Sequence, residues 1–599
     1  MSHNRSGPAA GQPVDTAVGS QGRRRAVAGA ARVLSPRGAL AVHQVDGAFL
    51  FALRAALAMA LVALPIVLAG RAELAVYAML GAFTTTFGRN LPYPRRARAL
   101  ALVGLAMTAC VGSGAALAAW VHPRAGGTGA FVVVAATAVV AGLAKFVCDV
   151  TRLGGLGAVL LLFSFAVAAN GSSAPGDVLA QTALAAAASA VAWLLAVAGR
   201  LVHPDRPQRL AVASALRALA EVLDASGTGG AIGGRTRHRA TVALLQAYHS
   251  LGVAPPAEVR LSGRKAPCLR LADMAWSLLI GSARRSPDDP AALAQALRRQ
   301  ACLLADRRRR TPRVLPELSP PAPVAPDGGG RRAAGTDATG ADPAARRASE
   351  LMVGSHPGRP DHLPARAVPA LRMLLGTGAA GGLAVLLSLG HGYWAAISAA
   401  AVLHSVNIRT TAQRAVQRTL GTVVGLLLAV GVLAAHPGPA VLALVIVFLE
   451  FLLEYAVVRN YGLGVVFVTP LALLLSDMAT PVSAGELVHD RGLASLLGIV
   501  VGLVCALVVV HDQAAVRVER AMAACADATE RAERALAAPF GPPLPAVPTR
   551  LALAVVELRE ADDAAAGELW SAGIDPAELA TAEQRGYLLL ERLLHRRWD

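Results

Sequence analysis

Residues 392–422 read GYWAAISAAAVLHSVNIRTTAQRAVQRTLGT. An apolar run meets three regularly spaced arginines, Arg409, Arg414 and Arg418, and a second apolar run follows at once. Arginine is expensive inside a bilayer and favoured at its cytoplasmic surface. The stretch therefore reads as two membrane spans joined by a short loop, and it sets the question of what the arginines do.

The whole chain has the same character. Of 599 residues, 55% are hydrophobic and 16% charged, with a mean hydropathy of +0.50, whereas soluble domains carry about 25% charge. This is the composition of a membrane protein. Taking runs of about 20 apolar residues as bilayer-crossing helices, twelve spans are expected in two blocks. They fall at roughly 50–70, 73–88, 99–121, 128–148, 153–170 and 178–200, then 367–389, 392–407, 415–435, 438–457, 460–477 and 491–511. Those at 73–88 and 392–407 are short, which suits tilted, interrupted or partly spanning helices.

Loop charge sets the orientation. With a cytoplasmic N-terminus the inner loops hold Arg89, Arg95, Arg96, Arg98, Lys145, Arg152, Arg409, Arg414, Arg418 and Arg459; the outer loops hold Arg71, Arg124 and Arg491. The blocks also resemble each other. ALRAALAMALVALPIVLAG at 52–70 echoes ALRMLLGTGAAGGLAVLLSLG at 370–390, pairing Arg54 with Arg372, and TRLGGLGAV at 151–159 matches VRNYGLGVV at 458–466. An even number of spans per copy makes a parallel repeat. The expected fold is an all-α membrane protein with two parallel six-helix transmembrane repeats and cytoplasmic helical regions. Its parts are a disordered cytoplasmic tail at 1–48, a first transmembrane block at 49–200, a cytoplasmic helical region at 201–310, a flexible linker at 311–366, a second transmembrane block at 367–511 and a C-terminal cytoplasmic helical region at 512–599.

Six scattered cysteines without a CxxC pair, histidines without ligand spacing, and the lack of a P-loop leave no motif for a metal, a disulfide framework or ATP. No cofactor and no enzyme activity are expected. The formal charge of +18 gathers on the inner side, where anionic headgroups are a better partner than nucleic acid.

Within the second block Glu450 and Glu454 lie four residues apart on one helix face. Glu450 is the deeper, and reads either as a proton-coupling carboxylate or as the structural partner of a base such as Arg372. Glu454 snorkels or pairs with Arg459. The Thr469-Pro470 pair frees a backbone carbonyl, which a packing kink or a cavity-lining break would use. Arg414 and Arg418 are one turn apart, and Gly421 and Gly425 extend that face, suiting close helix packing. These arginines either anchor topology, as Arg409 does, or gather an anion, since guanidinium pairs with carboxylate in a two-pronged geometry.

The stretches GYWAAISAAAVL, AQRAVQRTLGTVVGLLLA and RNYGLGVVFVTPLALLL resemble the fusaric acid resistance (FUSC) family, also called the aromatic acid exporter family. The resemblance runs over about 367–511 through Tyr393, Trp394, Arg414, Arg418, Gly421, Thr422, Gly425, Arg459, Asn460, Tyr461, Thr469 and Pro470, and is looser in the first block. It implies a multi-pass protein of the bacterial inner membrane that exports aromatic carboxylic acids or similar small organic anions, and the loop arginines put both termini on the cytoplasmic side. The candidate substrate-binding residues are then Arg414, Arg418, Tyr393, Trp394, Tyr461, Thr469 and Pro470, with Glu450 for proton coupling and Arg409, Gly421, Gly425, Glu454 and Arg459 structural. A passive organic-anion channel and a membrane scaffold docking partners through its cytoplasmic helices are the alternatives, and a homo-oligomer stays open.

Overall fold

The computed structural model describes residues 42, 45, 47–121, 127–151, 157–171, 174–225, 231–255, 265–282, 289–308, 313–318, 363–405, 407–479, 484–508, 513–538, 546–568 and 575–596. The expected tail up to residue 41, most of the expected linker, and Arg152 and Gly155 of the repeated motif lie outside the described residues. All regular structure among the described residues is helical.

The first block comprises α1 (Ala48–Leu68), α2 (Ala72–Ala82, continued by a 3-10 turn at Phe83–Thr86), α3 (Tyr93–Val121), α4 (Gly127–Thr151), α5 (Gly157–Ala169) and α6 (Val178–Val202). Four extramembrane helices follow: α7 (Arg206–Asp224), α8 (Ala231–Leu251), α9 (Ala266–Gly281) and α10 (Pro290–Ala305). The second block holds α11 (Leu363–Leu386), α12 (Tyr393–Leu403), α13 (Ile408–Ala434), α14 (Pro439–Val457), α15 (Tyr461–Ala479) and α16 (Ala484–Val508), and the chain continues through α17 (Gln513–Ala537), α18 (Ala546–Ala565) and α19 (Pro576–His595).

Among the described residues nine helices, rather than the twelve spans the hydropathy suggests, are long and apolar enough to cross a membrane. The other three, α2, α5 and α12, have 11, 13 and 11 residues. At 1.5 Å per residue an 11-residue helix covers about 16 Å, half of a hydrocarbon core about 30 Å thick. A helix that ends at membrane depth exposes backbone groups, which is tolerated only where protein covers them. Every residue of α12 is buried, and nearly all of α5. The long helices surround them and turn Leu and Val side chains such as Leu102, Leu105, Leu427 and Val504 outward.

Helix pairing follows one scheme in both blocks. The first helix packs on the second and sixth, the second on the third and sixth, the third on the fifth and sixth, and the fourth on the fifth. Between blocks, α1 meets α14 as α4 meets α11, and α2 meets α15 as α5 meets α12.

The carbonyls at the end of each short second helix find the same partner. Arg54 of α1 donates from Nη2 to Thr85 O at 3.4 Å. Arg372 of α11 donates to Leu403 O at 3.2 Å and Ser405 O at 2.8 Å. A cation at a helix C-terminus also complements the helix dipole.

The helices on either side of the second block form one extramembrane bundle, in which α7 to α10 and α17 to α19 share a single apolar core. Tyr248 packs edge-on to Trp276 at 6.1 Å between ring centres, and the Tyr587 and Thr241 hydroxyls meet at 2.9 Å. Burial pushes the Tyr587 hydroxyl up to about 12 and the Cys268 thiol likewise to about 12, so both stay neutral. Residues 313–318 belong to this bundle rather than to a linker. Gln300 binds Arg313 O and the Leu315 N–H, both at 2.8 Å, and Leu318 is buried.

The bundle touches both blocks at the loop between their second and third helices. Arg95 Nη1 lies 2.8 Å from His249 Nε2. Asn407 Nδ2 donates to Ala564 O at 3.2 Å, and the Arg409 N–H to Gly567 O at 2.9 Å.

Two carbonyl bonds depend on Arg372 and one longer bond on Arg54. A hydrogen bond to a charged group contributes about 1.5–3 kcal/mol. Arg372→Ala is therefore expected to lower the thermal midpoint of the detergent-solubilised protein clearly more than Arg71→Ala, whose side chain is exposed; equal shifts would remove the capping role.

Candidate functional site

The arginines of the opening stretch are presented by α13, whose start is fixed locally. Asn407 and Thr410 form a reciprocal capping box, with the Thr410 N–H donating to Asn407 Oδ1 at 2.9 Å and the Asn407 N–H to Thr410 Oγ1 at 3.3 Å. From this fixed start Arg414, Arg418 and Thr422 recur every four residues and so share a face. Arg409 sits in the first turn, against the bundle.

Arg414 is half-buried, its guanidinium 5.3 Å from the centre of the Tyr461 ring. Arg418 is 4% exposed and donates from Nη2 to Ser398 Oγ of α12 at 3.1 Å. Further along the face Gly421 and Gly425 let α13 close on α15. A methyl group on Gly425 would stand 2.7 Å from Thr469 Cβ, 2.8 Å from Val466 O and 3.0 Å from Pro470 Cδ. The Thr469-Pro470 pair is thus buried in the α13–α15 seam. The Thr469 and Thr422 hydroxyls and Arg418 Nε are buried there without a hydrogen-bond partner among the described residues.

A further arginine joins this seam, one that the sequence assigns to an outer loop. Arg491 lies inside α16, which begins at Ala484, two turns before the apolar run. It is 2% exposed, and its guanidinium carbon sits 3.6 Å from the centre of the Trp394 ring. Arg418 and Tyr393 lie within its electrostatic reach. Its Nε and Nη1 have no hydrogen-bond partner, and no ion pair among the described residues involves Arg491 or Arg418. The adjacent acid is engaged elsewhere, Asp490 Oδ2 being 3.1 Å from His391 Nδ1.

Tyr393 and Trp394 begin α12 with rings 4.6 Å apart. The Tyr393 hydroxyl is 3.1 Å from Ser476 Oγ on α15, and Phe163 of the first block approaches Trp394 at 6.1 Å. Trp394 is wholly buried, so it backs the guanidinium instead of facing a passage.

The carboxylates stand apart from these arginines. Glu450 and Glu454 are 1% and 2% exposed on α14 at the boundary with α1. Glu454 faces Thr86, Arg89 and Arg54 of the first block, partners that do not include the expected Arg459. Arg459 lies 3.7 Å from the Tyr455 ring centre and donates to Tyr455 O at 2.6 Å. Arg372, the expected structural partner of Glu450, is committed to the α12 carbonyls. Glu450 faces Glu454.

Charge balance tells these two sites apart. Stacking a cation on a desolvated aromatic ring contributes about 2 kcal/mol, less than the several kcal/mol that burying an ion costs. At the block boundary carboxylates meet guanidiniums. In the α12–α13–α15–α16 seam two buried guanidiniums meet none among the described residues, an environment that favours an anion.

Nine long apolar helices and three short buried ones among the described residues, with a polar seam between them, define an all-helical, multi-pass membrane protein. Residues 379–505 match the family described as fusaric acid resistance protein-like, and all the seam residues of α12, α13, α15 and α16 fall within that stretch. The chain is similar to the uncharacterized membrane protein YvaC of Bacillus subtilis (strain 168), 33% identical over 219 residues. That alignment takes in 36% of this chain and 34% of the relative, so it spans about a third of each. No solved structure gives a significant match.

Gly425→Ala is expected to cost about 1–3 kcal/mol by overpacking the seam and to reduce any flux. Gly431, on the same helix with nothing within 4 Å of an added methyl, should accept alanine without loss. Comparing the yield and unfolding of the two folded variants checks this; equal behaviour would mean the helices do not close at Gly425.

Proposed function

We propose that this protein is a secondary transporter exporting aromatic carboxylic acids or similar small organic anions across a bacterial plasma membrane. The observation that carries the reading is the pair of buried arginines, Arg418 and Arg491, with no acidic partner among the described residues. The match of the stretch that contains them to the fusaric acid resistance protein-like family supports it. Arg414 with Tyr461 would gather the anion at the inner mouth, Arg418 would take it inward, Tyr393, Thr469 and Pro470 would shape the passage, and Trp394 would back Arg491 from behind. Glu450 would exchange protons at the block boundary.

In this reading the blocks are parallel repeats. The shared pairing scheme, the exchange of contacts between blocks and the common role of Arg54 and Arg372 support it. So does the bundle, which touches the loop between the second and third helices in both blocks; inverted copies would put those loops on opposite faces. In this reading the end with the arginine-rich loops faces the cytoplasm, beside anionic headgroups and together with both termini, as the preference of basic loops for that side favours.

Export needs no nucleotide. A monoanion leaving a negative-inside cell gains about 2.3 kcal/mol per 100 mV, roughly a 50-fold gradient. Inverted vesicles containing the protein should accumulate labelled aromatic acids with saturable kinetics, above protein-free vesicles. Large non-saturating voltage-driven currents would make it a channel, and no flux for any acid of the panel would remove the reading. Cysteine labelling should find residue 325 accessible from the cytoplasm and residue 174 from outside, and the reverse pattern would overturn the orientation.

A further inference from the structure

We infer that Arg491, laid on the Trp394 indole, is the residue that receives the carboxylate of the transported anion, shared with Arg418, and that the ligands preferred there are carboxylates coplanar with a flat ring. The inference rests on the transport reading above and assigns the site within it.

A guanidinium carbon 3.6 Å from the ring centre leaves no room for an edge-on approach, so the guanidinium lies nearly parallel to the indole. Its N–H groups then point outward in a plane parallel to the ring. A carboxylate that pairs with them lies in that plane, and so does any ring conjugated with it. Trp394 is held in turn by Tyr393 and by Phe163, with interplanar angles of 35° and 38°, so the platform is fixed from both blocks. Among the described residues, Nε and Nη1 of Arg491 and Nε of Arg418 are buried donors without partners. A structural arginine at this depth would have a carboxylate or carbonyl opposite, as Arg372 has in Leu403 and Ser405. The nearest acid in sequence, Asp490, is turned to His391. Trp394 is a positioning residue here, acting through the guanidinium it supports. Because Arg491 is buried on all sides, an anion reaches it only when the helices around the seam part, so this conformation is closed over the site.

The test uses the full chain reconstituted in liposomes, with benzoate, its neutral isostere benzamide and the non-planar cyclohexanecarboxylate as probes. The wild type should bind benzoate more tightly than either. Arg491→Gln should weaken benzoate at least tenfold and abolish its advantage over benzamide. Arg491→Lys, which keeps the charge and loses the planar fork, should weaken benzoate several-fold and narrow the preference over cyclohexanecarboxylate. Trp394→Leu should follow the lysine variant in half-saturation while leaving the amount of inserted protein unchanged. If the wild type transports none of the acids, the transport reading itself fails. If the wild type moves benzoate and Arg491→Gln keeps its half-saturation, transport stands and this assignment falls. Should the glutamine variant not insert, an Arg491→Lys variant with wild-type half-saturation overturns the assignment by itself.

Discussion

The rule that constrains this molecule most is that buried backbone carbonyls at a helix end cannot go without a donor. Helices α2 and α12 are too short to cross a bilayer, so each must end inside protein. Arg54 and Arg372 supply donors to those ends from the neighbouring first helix. Once a short helix is held there, its neighbours must bury it from every side. The third and sixth helices of each block do this within the block, and the fifth helix of the other block completes the cover. The association of the two blocks is therefore part of the solution to the backbone problem.

This constraint also explains how much of the fold was legible. The long spans follow from hydropathy because an apolar face open to lipid leaves a continuous apolar run. The pairing of Arg54 with Arg372 was visible as a sequence echo, but its role was not. An arginine that caps a carbonyl 31 residues away looks the same in sequence as one that anchors a helix end. The span at 153–170 was read as full length because apolar composition does not separate a buried 13-residue helix from a lipid-facing one.

The candidate site was half legible. Arg414, Arg418, Tyr393 and Trp394 stood out because they sit beside apolar runs. Arg491 was read as an outer-loop residue because Glu486, His489 and Asp490 precede it and depress the local hydropathy, although α16 is already helical there. The signal that could have found it is helical spacing. Arg491, Ser495 and Gly498 recur at three- and four-residue steps, and Gly498 lies against Ala395 O so closely that an added methyl would stand 2.2 Å from it. That contact presses α16 on the start of α12 and brings Arg491 over Trp394.

The extramembrane bundle has a place in the same chain of dependence. Its core draws on helices before and after the second block, so the block is tethered at both ends to one body. That body holds Asn407, the residue that starts α13, through Ala564 O, and packs Gly567 against the Asn407 side chain. The register of Arg414 and Arg418 is counted from that start. A shift of the bundle relative to Asn407 would thus be passed along a rigid helix to the seam at Gly425 and to the guanidinium of Arg418. The seam and the bundle are, on this geometry, two ends of one mechanical element.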